Sequence, residues 1–384
     1  MHSKSLFRVL SVLAGIISLF LVAMAVFAFL ERESLKIGLS FLIPAATGFV
    51  FLGLMLFITR NEGQPYLTNR EGFLFVTLSW ITSSLLGALP FFLSGYIPSF
   101  IDALFETMSG FTTTGASILT RVEDIPRALL LWRATTHWLG GMGIVVLTVA
   151  IFPLLGFGGF RLMEAESPGP SVDKITPRIS GTAKIFWLIY VGLTAAEVLL
   201  LFAGGMPLFD SVSHAFATMA TGGFGVKNAS IGHYDSAYFD LIITIFMLLA
   251  GINFTLHFKT LRGKAGLALK DPELRLYLGI FAISTMLIAI DLKNHEIFES
   301  FGKALRFAGF QSSSILTTTG FATADFFPGA AFFPHVYRGL RRVDRRRYQS
   351  DSNSHPGEDG FHRNALPHQS SRGLCDFREW EIPA

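Results

Sequence analysis

A single cysteine, Cys375, occurs among the 384 residues, so no disulfide within the chain and no thiolate metal cluster can form. Charge is also scarce, at 15% of the residues, against 51% hydrophobic and 14% aromatic. Such a balance excludes an ordinary soluble domain and describes a chain that crosses a membrane many times. The net charge of +3 points to no partner, because topology accounts for the basic residues.

Polar interruptions are few, and the runs between them approach the ~20 residues that cross a bilayer. Seven such runs lie at about Leu6 to Leu30, Ile37 to Thr59, Phe73 to Tyr96, Leu129 to Leu155, Ile185 to Ala203, Phe239 to Phe258 and Leu276 to Ile290. The first is too long for a signal peptide, and no small-residue cleavage site stands out after it, so it is read as a retained helix. Lys4 and Arg8 precede the first run, Arg161, Lys174, Arg178 and Lys184 follow the fourth, and Lys259, Arg262, Lys264, Lys270 and Arg275 follow the sixth. The positive-inside rule then puts the N-terminus in the cytoplasm.

Between these runs a short polar phrase recurs: "GFTTTGAS" at Gly110–Ser117, "MATGGFG" at Met219–Gly225 and "LTTTGFAT" at Leu316–Thr323. A shift of 108 residues sets Asp102 on Asp210, Thr113 on Thr221 and Gly115 on Gly223; a further shift of 97 sets Thr221 on Thr318, Gly223 on Gly320 and Phe224 on Phe321. Each phrase follows a segment of about three helical turns, too short to span. Such a segment can enter the membrane, stop and return as a loop where the backbone is buried in protein or lines a watery cavity. The expected fold is an all-α polytopic membrane protein of repeated span, re-entrant pore helix, filter loop, span units, an incomplete pseudo-tetrameric ion pore. Glycine lets successive carbonyls face one way, so loops around an axis can replace the hydration shell of a monovalent cation. The negative C-terminal ends of the short helices favour the same charge.

These phrases, with "WRATTHWLGGMGIVVL" (Trp132–Leu147) and "FMLLAGINFTLHF" (Phe246–Phe258) in the place of inner helices, resemble the Trk/Ktr/HKT superfamily of potassium transporters. The likeness is strongest to the bacterial Trk-type potassium uptake membrane subunit and covers residues 1 to about 325. It implies potassium as the substrate, no cofactor, a multi-pass protein of the bacterial inner membrane, a homodimer, and a cytoplasmic nucleotide-binding regulatory subunit. Membrane lipid is the other expected partner, and nucleic acid is not one. The filter carbonyls would belong to Thr113, Thr114 and Gly115; Thr221, Gly222 and Gly223; and Thr318, Thr319 and Gly320. The implied divisions are two leading helices (1–62), a first pore repeat (70–158), a cytoplasmic linker (159–182), a second repeat (183–260), the first part of a third (261–325) and an aberrant tail (326–384).

That tail departs from the family, which has a glycine-rich gate loop and a fourth repeat there. Six arginines lie between Arg338 and Arg347, and no apolar run follows. A basic tail for nucleic acid or anionic lipid and a disordered tail are two readings. A frameshift is the third, and it fits better. Codons chosen for His335–Ser350 read one nucleotide later as "MFIGGCAGSTGGGIK", which looks like the gate loop. A frame change near Phe326 to Gly329 is therefore expected, leaving the chain as written impaired or inactive.

Two other functions are open to such a sequence. An intramembrane metalloenzyme would use His137, Glu197, His214 and His257, but no HExxH-type spacing joins them, so no enzyme is expected. A secondary symporter coupled to sodium or protons would need broken spanning helices. Of the remaining polar residues, Glu106 is read as attracting cations at the outer mouth or, in slight preference, as simply solvated there. Arg133 and His137 are placed at the outer end of the fourth span, as interface anchors or ion contacts. Asn253 is expected to bond a neighbouring helix from mid-span, and Asp102 and Asp210 are read as helix caps.

Overall fold

The computed structural model describes residues 3–61, 69–143, 179–298 and 300–324. The chain divides into two units, Met1–Phe326 and Phe327–Ala384, and the second lies outside the described residues. So do the tail, the fourth run beyond Gly143 and most of the linker. Among the described residues all regular structure is helical.

Three long helices open the chain: α1 (Ser3–Leu30), α2 (Leu35–Ile58) and α3 (Asn69–Ser94). Leu6, Leu10, Leu13, Ile17, Leu21 and Met24 recur three or four residues apart along α1 and are buried, forming a seam against its neighbours. The opposite faces carry apolar side chains too: Leu19 is 64% exposed and Val50 68%. In water that would be an aggregation surface; across a helix of bilayer length it is a lipid face.

Each repeat then follows one plan. A short helix, α4 (Phe100–Phe111), is followed by α5 (Arg127–Gly141). After α6 (Ile179–Ala203) comes a second short helix, α7 (Leu208–Met219), and then α8 (Ala237–Ala250). Beyond α9 (Phe254–Leu261) and the single turn α10 (Ala265–Ala268), the long helix α11 (Pro272–Asn294) precedes the third short helix, α12 (Phe301–Leu316). At ~1.5 Å per residue, the 12 residues of α4 and of α7 reach about 18 Å, well short of a bilayer. Five described helices are long and apolar enough to span: α1, α2, α3, α6 and α11.

The sixth expected span is bent by 102° between α8 and α9. Its sequence reads as one apolar run, but Gly251 ends α8 and the Asn253 side chain accepts the Thr255 amide at 3.0 Å, starting α9. Asn253 is thus an N-cap at a break, not a mid-span bond to a neighbour. At the bend Tyr277 donates to the Leu248 carbonyl at 3.2 Å, and His257 Nε2 donates at 2.9 Å to the Leu249 carbonyl, which also accepts the Ile252 amide.

The expected aspartate caps are also corrected. Ser99 caps α4 by accepting the Asp102 amide, and Ser300 caps α12 by accepting the Lys303 amide. Pro207 holds the equivalent place before α7. Asp102 and Asp210 sit one turn further in, where a carboxylate still complements the positive helix end. Pro126 gives α5 no side-chain cap, so Glu33, from the turn after α1, accepts the Ala128 amide at 3.1 Å instead.

α5 packs against both α4 and α7, and α8 against both α7 and α12. Each inner helix therefore stands between two successive short helices. Gly140 and Gly141 permit the close approach of α5 to the ends of α4 and α7, because a Cβ on the first would strike the Phe111 carbonyl and on the second Ala220.

Candidate cation filter

The three short helices end in the same hydrogen-bonded motif. After α4, Thr113 N donates to Gly110 O and Thr114 N to Ser109 O, at 3.1 and 3.0 Å. After α7, Thr221 N donates to Thr218 O and Gly222 N to Ala217 O, both at 2.9 Å. After α12, Thr318 N donates to Ile315 O and Thr319 N to Ser314 O, at 3.0 and 2.8 Å. This is a Schellman ending, whose left-handed position is normally glycine. Here it is threonine each time, with φ of 54° at Thr113, 52° at Thr221 and 59° at Thr318. A β-branched residue in that region costs about 1–3 kcal/mol and persists only where its surroundings dictate it.

Two residues on, each loop turns left-handed again, with φ of 75° at Gly115, 77° at Gly223 and 82° at Gly320. These glycines also meet neighbouring backbone. A Cβ on Gly115 would collide with the Gly222 carbonyl oxygen, and one on Gly223 with that of Thr319. The middle carbonyl of each later loop therefore lies against the glycine of the loop before it, which orders them first, second, third. Gly320 has no described atom within 4 Å of its would-be Cβ.

Among the nine residues expected from the sequence, backbone contacts bring Gly115 to Gly222 and Gly223 to Thr319. Gly222 and Thr319 are buried, while Thr114, Thr318 and Gly320 are exposed and the rest are half-buried. Hydroxyl pairs brace the first and third loops: Thr112 with Thr114 and Thr317 with Thr319, each at 2.8 Å. Ala220 and Gly222 leave the second loop without that brace.

Behind the loops the expectations for three residues fail. Glu106 is 1% exposed rather than solvated, and Arg133 and His137 are buried rather than interfacial. Glu106 Oε1 accepts from Arg133 Nε at 2.6 Å and from Ser117 Oγ at 2.9 Å, and its Oε2 accepts the Ile118 amide at 3.0 Å. Arg133 Nη1 donates to the Gly225 carbonyl at 3.0 Å, with its guanidinium 3.5 Å from the centre of the Phe224 ring. His137 stacks on the same ring at 3.9 Å. The helical spacing of Arg133 and His137 was legible; that both reach the second loop was not.

The register of the short helices carries a further regularity. Counting nine residues back from each filter glycine gives Glu106, His214 and Gln311, all buried. His214 Nε2 pairs with the Tyr234 hydroxyl at 3.2 Å, Tyr234 donates to Asp210 at 2.7 Å, and the His214 ring stands edge-on to Phe321. The phenylalanines that follow the second and third glycines are each met by polar groups of the preceding repeat.

Outside the spans, the Asn228 amide donating to Glu123 at 2.7 Å holds that carboxyl below the usual range. Burial pushes the Glu33 carboxyl up, against the lowering pull of the amides it caps. Burial and its bond to Asp210 push the Tyr234 hydroxyl up. Among the described residues no group of three or more His, Cys, Asp or Glu side chains could hold a metal ion, so His137, Glu197, His214 and His257 form no cluster.

A family profile described as "Cation transport protein", TrkH, matches residues 40–333. The chain belongs to the TrkH family. The Trk system potassium uptake protein TrkH of Salmonella typhimurium is 40% identical over 339 residues, covering 87% of this chain and 69% of that protein. TrkG of Escherichia coli is 35% identical over 306 residues, covering 79% and 62%. The crystal structure of the potassium transporter TrkH from Vibrio parahaemolyticus superposes with a TM-score of 0.71 at 36% identity, covering 87% of this chain and 68% of that one. As a TrkH-family member the chain is a multi-pass membrane transport protein rather than an enzyme, the membrane subunit type of a Trk system.

Proposed function

We propose that the chain is the pore-bearing membrane subunit of a bacterial potassium uptake system, with potassium held by backbone carbonyls of its nine filter-loop residues. The observation that carries this is the threefold recurrence of a left-handed threonine and, two residues later, a left-handed glycine at the end of a re-entrant helix. Carbonyls supplied by several loops can replace water around a potassium ion, and helix C-termini add negative potential at the same place. Relatives named as potassium uptake proteins support the choice of ion.

The N-terminus is cytoplasmic on this reading, the active form is a homodimer in the inner membrane, and a nucleotide-binding subunit regulates it from the cytoplasm. Residues 1–384 carry three copies of the loop, so by themselves they surround an ion incompletely and conduct weakly. A frameshift near Phe326 accounts for the tail. Coupled symport with sodium or protons is a second reading, favoured by the 102° break in a spanning segment.

The test is growth of a potassium-uptake-deficient bacterium at low potassium. A gene restored to the second frame should support it, and the chain as written should not. Growth of the restored strain that is unaffected by Gly223→Ala would reject the filter. Vigorous growth on the chain as written would reject its impairment.

A further inference from the structure

We propose that Arg133 is a positioning residue that, paired with Glu106, locks the first and second filter loops at a fixed separation and so sets the size of the ring the ion meets. The proposal rests on reading these loops as the filter. Through Ser117 and Ile118, Glu106 grips the chain two and three residues past Gly115. Through Gly225 and Phe224, Arg133 grips the chain one and two residues past Gly223. The 2.6 Å ion pair joins the two grips, so neither loop can move outward without the other.

A buried ion pair is a poor source of net stability, because desolvating both charges offsets their attraction; what it supplies is geometry. Arginine suits the role through its planar fork: Nε binds the carboxylate, Nη1 binds the Gly225 carbonyl, and the flat face rests on Phe224. Lysine keeps the charge but cannot make the three contacts together. At the next interface His214 meets Phe321 edge-on at 5.7 Å, and the ion pair there, Arg306 with Asp240, joins α12 to α8 rather than one filter loop to another, so this clamp belongs to the first two loops.

The experiment is hydrogen exchange on the full chain in lipid nanodiscs, which needs no ion conduction. Glu106→Gln combined with Arg133→Met removes the clamp without stranding a buried charge, and Arg133→Lys weakens it. Amides of residues 117–119 and 224–226 should exchange about tenfold faster in the double variant, with less than about twofold change at residues 318–321 and in α1. In Arg133→Lys, the ratio of sodium to potassium concentrations that half-protect the loops should narrow at least about threefold.

Equal acceleration at the third loop and in α1 would mean that the pair merely supports the fold, and no acceleration at either clamped loop would mean that it positions nothing. If neither cation protects any loop of the frame-restored wild-type chain, the filter reading falls. The loop exchange rates still decide whether the clamp couples the loops.

Discussion

Thr113, Thr221 and Thr318 hold a backbone shape that glycine would adopt freely. Their side chains cost energy there, so Thr221→Gly should leave the stability unchanged or raise it by up to about 1 kcal/mol, as read by thermal unfolding in detergent. A clear fall would mean that the Thr221 side chain supports a contact. Gly223 and Gly320 provide the converse. Gly223→Ala meets both a φ of 77° and the Thr319 carbonyl, whereas Gly320→Ala meets only a φ of 82°. The first should lower the unfolding temperature clearly more than the second; equal effects would contradict the ordering of the loops. The spacing of threonine and glycine was legible in the sequence because a residue's need for a left-handed backbone is local. The burial of Glu106, Arg133 and His137 was not, since their partners lie as far as 92 residues away in the chain.

At the scale of helices, the short segments, their order and the long apolar spans could be read directly, because length and hydropathy decide them. The break between α8 and α9 escaped, although Gly251 and Asn253 were in plain view, because the apolar run continues across them. Tyr277 and His257 show what the pattern could not: a hydroxyl from α11 and an imidazole from α9 make the bend tolerable by bonding its carbonyls. Tyr277→Phe should cost about 1 kcal/mol and speed amide exchange in α9. Unchanged exchange would show that the bend does not depend on this bond.

The chain segments past the first two candidate filter loops are also joined reciprocally. Glu123 accepts the Asn228 amide, and Asn228 Oδ1 accepts the Val122 amide at 2.9 Å. Because the folded carboxyl sits below its ordinary 4.5, its contribution is present above that pH and is lost as pH falls through the folded value. The stability gap between wild type and Glu123→Gln should stay level from neutral pH to about 5 and close under stronger acid. A gap that widens on acidification would reverse the sign.

For the whole molecule, family and architecture were legible because a repeat leaves the same marks wherever it occurs. The pairing of each glycine with the next loop's carbonyl required coordinates, since register along the chain does not say which loops touch. Most of the bilayer-length helices meet lipid on at least one face, while the candidate filter is irregular backbone held by its neighbours. The left-handed threonines therefore bear on time as well as on space. A span can insert alone, but a strained loop gains nothing until the surfaces that dictate its shape have arrived. The first loop waits for α5 and the second loop, and the second waits for the carbonyl of Thr319, nearly a hundred residues later in synthesis. The candidate filter should accordingly settle only once all three loops have been made.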